Sequence, residues 1–295
     1  MQNLNPHNIT TDKLTVSLFT EKNIEASVLR LDKIHPVISG NKWFKLQYYI
    51  EEAKQLDKRT IVTFGGAWSN HIIATAVVCK FNNLNSIGII RGEEPVQLSS
   101  TLIQTQEVGM QLVFISRTDY GKKIIPKHLQ KDEYYFISEG GFGQKGVEGA
   151  ATILDHCVKE SYTHICCAAG TGTMMAGLIK AVLPSQQVIG ISVLKNNQAL
   201  EKDVKFLAGK TNNFRISYDY HFGGYAKYQL ALFSFMNEFY RQTNIPSDFV
   251  YTGKLFYGVS DLAKKNFFSP NSKLLIIHSG GLQGNASLRK GTLIF

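Results

Sequence analysis

Residues 60–92 read TIVTFGGAWSNHIIATAVVCKFNNLNSIGIIRG. TIVTF is a short β-branched apolar run that stops at two glycines. SNHIIATAVVCKF has the length and opening residues of a helix, and SIGIIRG is a second apolar run. A strand, a helix and a strand joined by short turns form a crossover unit, which makes the two strands parallel. The alternation continues toward the C-terminus with STLIQTQEVG (helix, 100–109), QLVFIS (strand, 111–116) and YYFIS (strand, 134–138). Beyond the glycine cluster EGGFGQKG it predicts a helix over 147–159, the strand THICCA, a helix over 174–183 and the strand QVIGISV. Helices over 198–207, 225–241 and 254–265 and a closing buried strand, KLLIIH (273–278), complete it. Upstream, KWFKLQYYIEEAKQLD carries Trp43, Leu46, Tyr49, Ile50 and Ala53 on one helical face. It follows two apolar, β-branched stretches, KLTVSLF (13–19) and ASVLRLDK (26–33). About eight strands over this length suit two α/β domains, each a mostly parallel sheet flanked by helices. The expected division is 1–45 plus 150–295 as the larger, cofactor-binding domain, with 46–149 inserted as the smaller. Glycines between Gly140 and Gly149 mark a boundary.

Composition bounds the function. Hydrophobic residues at 44% and charged residues at 19% are those of a soluble globular chain. The polar start MQNLNPHNITTDKL has no apolar secretory core, and no apolar run is long enough to span a bilayer, so a cytoplasmic protein without a membrane partner is expected. Cys79, Cys157, Cys166 and Cys167 form no CxxC and read as buried free thiols, and no metal site is expected. The net charge of +9 comes from lysines scattered along the chain without an arginine-rich run. That pattern suits attraction of small anions better than nucleic acid.

The chemistry collects at strand-to-helix corners. TFGGAWSNH (63–71) ends a strand and opens a helix with Ser69 and Asn70; both are favoured N-caps, and the same helix mouth suits a carboxylate. CAAGTGTMMAGL (167–178) places Gly170, Thr171, Gly172 and Thr173 between a buried strand and a helix. Met175 occupies the third-glycine place of a dinucleotide fingerprint, and no acid ends the next strand, so a mononucleotide-style phosphate cup is the better reading. FVYTGKLFYG (249–258) and IHSGGLQG (277–284) supply two more glycine turns. Such corners line a cavity with backbone donors and hydroxyls and almost no carboxylates. In SGNKWFKL (39–46), Lys42 stands at a helix mouth where a solvated lysine would leave that cavity without purpose. An amine facing a phosphate cup can bond an aldehyde cofactor, and pyridoxal phosphate fits.

The order SGNKWFKL, FGGAWSNH, AAGTGT, GGY, VYTGK and HSGG resembles the 1-aminocyclopropane-1-carboxylate deaminase and D-cysteine desulfhydrase family over nearly the whole chain. These are fold-type II, tryptophan synthase β-like pyridoxal-phosphate enzymes. The resemblance implies that Lys42 holds the cofactor aldehyde and that Lys45 lies near its phosphate. It implies that Ser69 holds the substrate carboxylate and takes part in proton transfer, and that Asn70 contacts the ring hydroxyl with His71 beside it at the substrate. Gly170, Thr171, Gly172 and Thr173 become the phosphate loop, Tyr225 and Tyr251 two active-site tyrosines, and Thr252 the residue facing the pyridine nitrogen. It also implies a homodimer. The chain departs from the family at Phe44, where arginine is common, in a phosphate loop poorer in glycine, and in EGGFGQKG, which lacks an asparagine.

Family members acting on the cyclopropane have Glu where this chain has Thr252, and Leu where it has Ser279. An acid there keeps the ring nitrogen protonated and the ring a strong electron sink, which opening a cyclopropane needs more than expelling a thiolate does. The expectation is therefore β-elimination from D-cysteine or a related β-substituted D-amino acid. The alternatives are 1-aminocyclopropane-1-carboxylate deamination, a relative that binds the cofactor or a metabolite without turnover, and a basic α/β scaffold for nucleic acid.

Overall fold

The computed structural model describes residues 4–38, 40–209 and 212–295, so Ser39, the first residue of the Lys42 stretch, lies outside the described residues. Ten strands are present among them: β1 (Thr11–Lys13), β2 (Glu25–Arg30), β3 (Thr60–Gly65), β4 (Asn85–Arg91), β5 (Gln111–Ile115), β6 (Tyr134–Ile137), β7 (His164–Ala169), β8 (Gln187–Ser192), β9 (Phe214–Ser217) and β10 (Lys273–His278). They form two sheets. One has the order β1-β2-β10-β7-β8-β9, the other β5-β4-β3-β6. Every pairing is parallel except β1 with β2. The smaller sheet is drawn from residues 60–137, and the larger from the chain on both sides of them.

Central parallel strands are covered on both faces, so they read as continuous apolar runs. In β3, β7, β8 and β10 every residue but the first is buried. The edges behave differently. FRIS of β9 has no buried residue, and β1 has none either, which is why the sequence shows no apolar run at either place. KLTVSLF splits: its first residue ends β1, and Ser17–Glu21 coil into α1, burying Phe19.

The remaining helices are α2 (Asn41–Gln55), α3 (Asn70–Phe81), α4 (Ser100–Val108), α5 (Arg117–Gly121), α6 (Gln144–Ala151), α7 (Thr173–Ala181), α8 (Leu200–Ala208), α9 (Leu230–Thr243) and α10 (Thr252–Lys264). Two differ from expectation. The helix expected over 147–159 is α6, which starts earlier and tightens into a 3-10 turn over Thr152–His156. The helix expected from Tyr225 begins only at Leu230, because Gly223 and Gly224 take positive φ and residues 225–231 are exposed, with no core to bury an apolar stripe.

Helix α2 joins the two cores. Phe44 packs into the core under the larger sheet, while Leu46, Tyr49, Ile50 and Ala53 pack into that of the smaller. Its entry is locked by Gly40, at φ +76°, where a Cβ would stand 1.8 Å from the Ser279 carbonyl oxygen. The next amide, Asn41 N–H, donates to that same oxygen at 3.2 Å. The first turn of α2 is thereby pinned against the loop leaving β10, at the carboxyl ends of the large-sheet strands, where ligands of such folds bind.

Candidate active site

Lys42, the second residue of α2, is partly buried. Its Nζ donates to Asn41 Oδ1 at 2.8 Å and stands 5.8 Å from the centroid of the Tyr251 ring. Burial pulls its ammonium down to about 8 from the usual 10.5, with Asp248 acting in the opposite sense. One turn on, Lys45 is buried and donates to the Gly140 carbonyl at 2.7 Å. Burial first, and the Lys42 charge second, hold Lys45 well below the usual lysine range. The Asn41 side-chain amide meets Met174 Sδ at 3.2 Å, which ties Lys42's partner to α7.

Ser69, Asn70 and His71 stand at the mouth of α3. Ser69 is the N-cap, its Oγ accepting from Ile72 N–H at 3.4 Å. Asn70 lies against Gly281, and its Oδ1 is buried with no hydrogen-bond partner among the described residues. His71 is buried, and its Nε2 is 2.9 Å from Thr63 Oγ1. Thr63 gives its only hydroxyl proton to the Ile137 carbonyl at 2.7 Å, so Nε2 carries the imidazole proton and donates. Nδ1 is left a buried lone pair without a partner among the described residues. Burial, then Lys42 and Lys45, push the imidazole well below its usual 6.5, so His71 is neutral.

Gly170–Thr173 link β7 to α7. Gly172 takes a left-handed conformation, and no side chain caps α7, so the first amides of the helix stay available to an anion. Thr171 and Thr173 hydroxyls are 3.2 Å apart, Asn197 holds the Gly170 carbonyl at 3.2 Å, and Gly140 lies beside Thr171. Lys45 and this loop therefore meet through Gly140.

Thr252 opens α10 and is fully buried. Its hydroxyl donates to Asp248 Oδ1 at 2.7 Å and accepts from Asp248 N–H at 2.7 Å. Asp248 also accepts from the amides of Val250 (2.9 Å), Tyr251 (2.9 Å) and Thr252 (2.8 Å). This carboxylate is absent from the sequence-based site. Its signal was legible, since an aspartate just ahead of a helix is a cap, but its burial within electrostatic reach of Lys42 depends on the loop leaving β10, whose Gly281 lies against it. Burial raises Asp248 while the hydrogen bonds to Thr252 and Tyr251 lower it. Tyr251 lies against Gly170 and packs edge-on to Tyr225, with centroids 6.3 Å apart. Burial drives the Tyr251 hydroxyl well above 10, and desolvation of the Tyr225 hydroxyl, on a residue whose surface is otherwise half exposed, raises it too, so both are donors near neutrality.

An uncapped helix mouth for a phosphate, an amine with a lowered proton affinity and an unpaired amide oxygen are what pyridoxal phosphate needs, and these residues fit it. Lys42 would bond its aldehyde, Asn70 would meet its ring hydroxyl, and Gly170–Thr173 would take its phosphate. The chain belongs to the pyridoxal-phosphate dependent enzyme family, whose model matches residues 6–280. Its cofactor is pyridoxal phosphate, and its architecture is fold-type II. Within that family it is 29% identical over 291 residues to a Pyrococcus abyssi protein provisionally named 1-aminocyclopropane-1-carboxylate deaminase, covering 90% of this chain and 86% of that one. It is 28% identical over 284 residues to the bifunctional D-cysteine desulfhydrase/1-aminocyclopropane-1-carboxylate deaminase, mitochondrial, of Arabidopsis thaliana, covering 84% and 70%. The crystal structure of an ACC deaminase homologue superposes with TM-score 0.81 at 26% identity, covering 96% of this chain and 92% of that chain.

Proposed function

We propose that the protein catalyses β-elimination from D-cysteine or a related β-substituted D-amino acid, D-cysteine plus water giving pyruvate, ammonia and hydrogen sulfide. The observation that carries this is the start of α10. Thr252 presents a neutral oxygen there, and the neighbouring carboxylate, Asp248, has its oxygens taken up by three amides and the Thr252 hydroxyl. A neutral oxygen holds a proton on a ring nitrogen far less firmly than a free carboxylate would. That suits a substrate with its own leaving group better than a strained carbon ring.

Pyridoxal phosphate, when bound, supplies an aldehyde for the substrate amine and a conjugated ring that accepts the electron pair left at the α-carbon. The chain's own groups do the rest. The α3 mouth and Ser69 Oγ hold the substrate carboxylate, as the dipole and free amides of a helix N-terminus favour. Lys42, with proton affinity near neutrality, takes the α-proton. Tyr225 and Tyr251 keep their protons, which leaves them as donors at the departing sulfur and not as the base. His71, neutral and buried, offers Nδ1 as an acceptor beside the substrate.

The reading also includes a cytoplasmic homodimer that engages neither nucleic acid nor membrane; light scattering tests the dimer. No helix of the described residues is long and apolar enough to cross a membrane. The activity is tested with a panel of D-cysteine, L-cysteine, D-serine, β-chloro-D-alanine and 1-aminocyclopropane-1-carboxylate. Release of pyruvate and sulfide from D-cysteine is expected. Efficient conversion of the cyclopropane acid to 2-oxobutyrate with D-cysteine inert would replace this reading by the deaminase one.

A further inference from the structure

Lys254, the third residue of α10, is a lysine that the chemistry above does not use. Its side chain is completely buried, among the largest fully buried side chains of the protein. No carboxylate pairs with it at contact distance among the described residues. Its Nζ instead donates to two main-chain carbonyls, His221 O at 2.8 Å and Gly224 O at 2.7 Å. Burying an ammonium costs more than burying an unbranched apolar side chain such as methionine, so the charge is retained for what it holds.

What it holds is the turn that delivers Tyr225. Gly223 and Gly224 stand at φ +97° and +117°. His221 closes the turn on itself, its carbonyl accepting from Gly224 N–H at 3.0 Å and its Nδ1 from Gly223 N–H at 2.9 Å. From Tyr225 to Ala231 the chain is exposed, and α9 starts only at Leu230, so no regular element holds the Tyr225 backbone. Its ring rests on Tyr251, which immediately precedes α10. One helix start therefore places both tyrosines, Tyr251 through its own backbone and Tyr225 through the Lys254 ammonium.

We propose that Lys254 is a positioning residue whose ammonium clamps the His221–Gly224 turn and so sets Tyr225 as the outer wall of the active site. The functional half of this inference rests on the reading that Tyr225 lines that site; the clamp itself does not.

The test is hydrogen exchange on the holoenzyme carrying Lys254→Met, which keeps an unbranched apolar stem and removes the ammonium. Amides of residues 222–228 are expected to exchange at least ten-fold faster, with α10 and β8 protected as in the parent. For D-cysteine, KM is expected to rise several-fold more than kcat falls, and Lys254→Met combined with Tyr225→Phe to be no worse than the poorer single variant. Unchanged exchange in the turn, or a uniform rise through α10 as well, would overturn the clamp and leave Lys254 as packing. Should Lys254→Met fail to fold, Gly224→Ala disturbs the same turn from the other side: its Cβ would stand at φ +117°, 3.2 Å from the Lys195 Cβ and 3.4 Å from the Lys195 backbone nitrogen. The same localised exchange is then expected, and its absence overturns the proposal. Full activity of Tyr225→Phe alongside a loosened turn would refute the placement of Tyr225 in the site while sustaining the clamp.

Discussion

Gly40→Ala should separate the fold from the site. The added Cβ would stand 1.8 Å from the Ser279 carbonyl oxygen, and backbone there has no slack of its own. Contacts of this kind open to about 3 Å or more, so the α2 entry must retreat from the β10 loop by roughly 1.2 Å, the gap between those two separations. Alanine at φ +76° adds strain of about 1–2 kcal/mol. Both cores that hold the body of α2 are untouched, so the protein should fold with a loss of about 2–3 kcal/mol, read from urea unfolding. Lys42 lies two residues on and moves with the helix entry. A displacement of about 1 Å in a reacting group costs on the order of 100-fold in rate. Gly109→Ala is the control: Gly109 has φ +109° with nothing within 4 Å of its added Cβ, so it carries the strain without the clash. It should lose about 1 kcal/mol and no turnover. Gly40→Ala with turnover within two-fold of the parent would show that the Ser279 contact does not place Lys42, and the reasoning would fail.

Asp248→Asn should cost about 3 kcal/mol in urea unfolding, because an amide nitrogen replaces an oxygen that accepts buried N–H groups; a loss under about 0.5 kcal/mol would deny Asp248 its capping role. In cofactor-free protein the Lys42 amine should react with an acylating reagent at half its maximal rate near pH 8, since burial lowers its proton affinity from 10.5; a midpoint above 10 would contradict the burial. Nitrogen-resolved NMR should show His71 as the Nε2–H tautomer without titration between pH 6 and 8. Its folded value lies below the unfolded 6.5, so its share of stability is present above 6.5 and is lost as the unfolded chain takes up the proton at lower pH. A His71 that titrates near 6.5 would contradict its buried pairing with Thr63.

The parts of this architecture visible in the sequence are those where one residue type can satisfy only one environment. ICCA and LLII are apolar throughout and suit strands covered on both faces, and they are the cores of β7 and β10. The glycine corners were equally legible, because turns hard against a helix mouth leave few alternatives, and contacts join them in pairs, Gly281 lying against Asn70 and Gly170 against Tyr251. What stayed hidden depends on neighbours. FRIS pairs only as an edge strand, so nothing in its composition marks it. Lys254 sits in an amphipathic helix like any surface lysine, and its burial follows from a turn some thirty residues earlier folding over it. The Asp248 carboxylate is an ordinary cap in sequence; only the tertiary fold sets it within electrostatic reach of Lys42.

Lys42 as the residue that bonds the cofactor is the claim on which the rest depends. Borohydride reduction of the protein loaded with pyridoxal phosphate, followed by peptide mapping and with Lys42→Ala in parallel, tests it. The account predicts a visible absorption band lost on reduction, a phosphopyridoxyl group on the Lys42 peptide alone, and no such label in the variant. A label on Lys45, or a protein that stays colourless with the cofactor in excess, would contradict it.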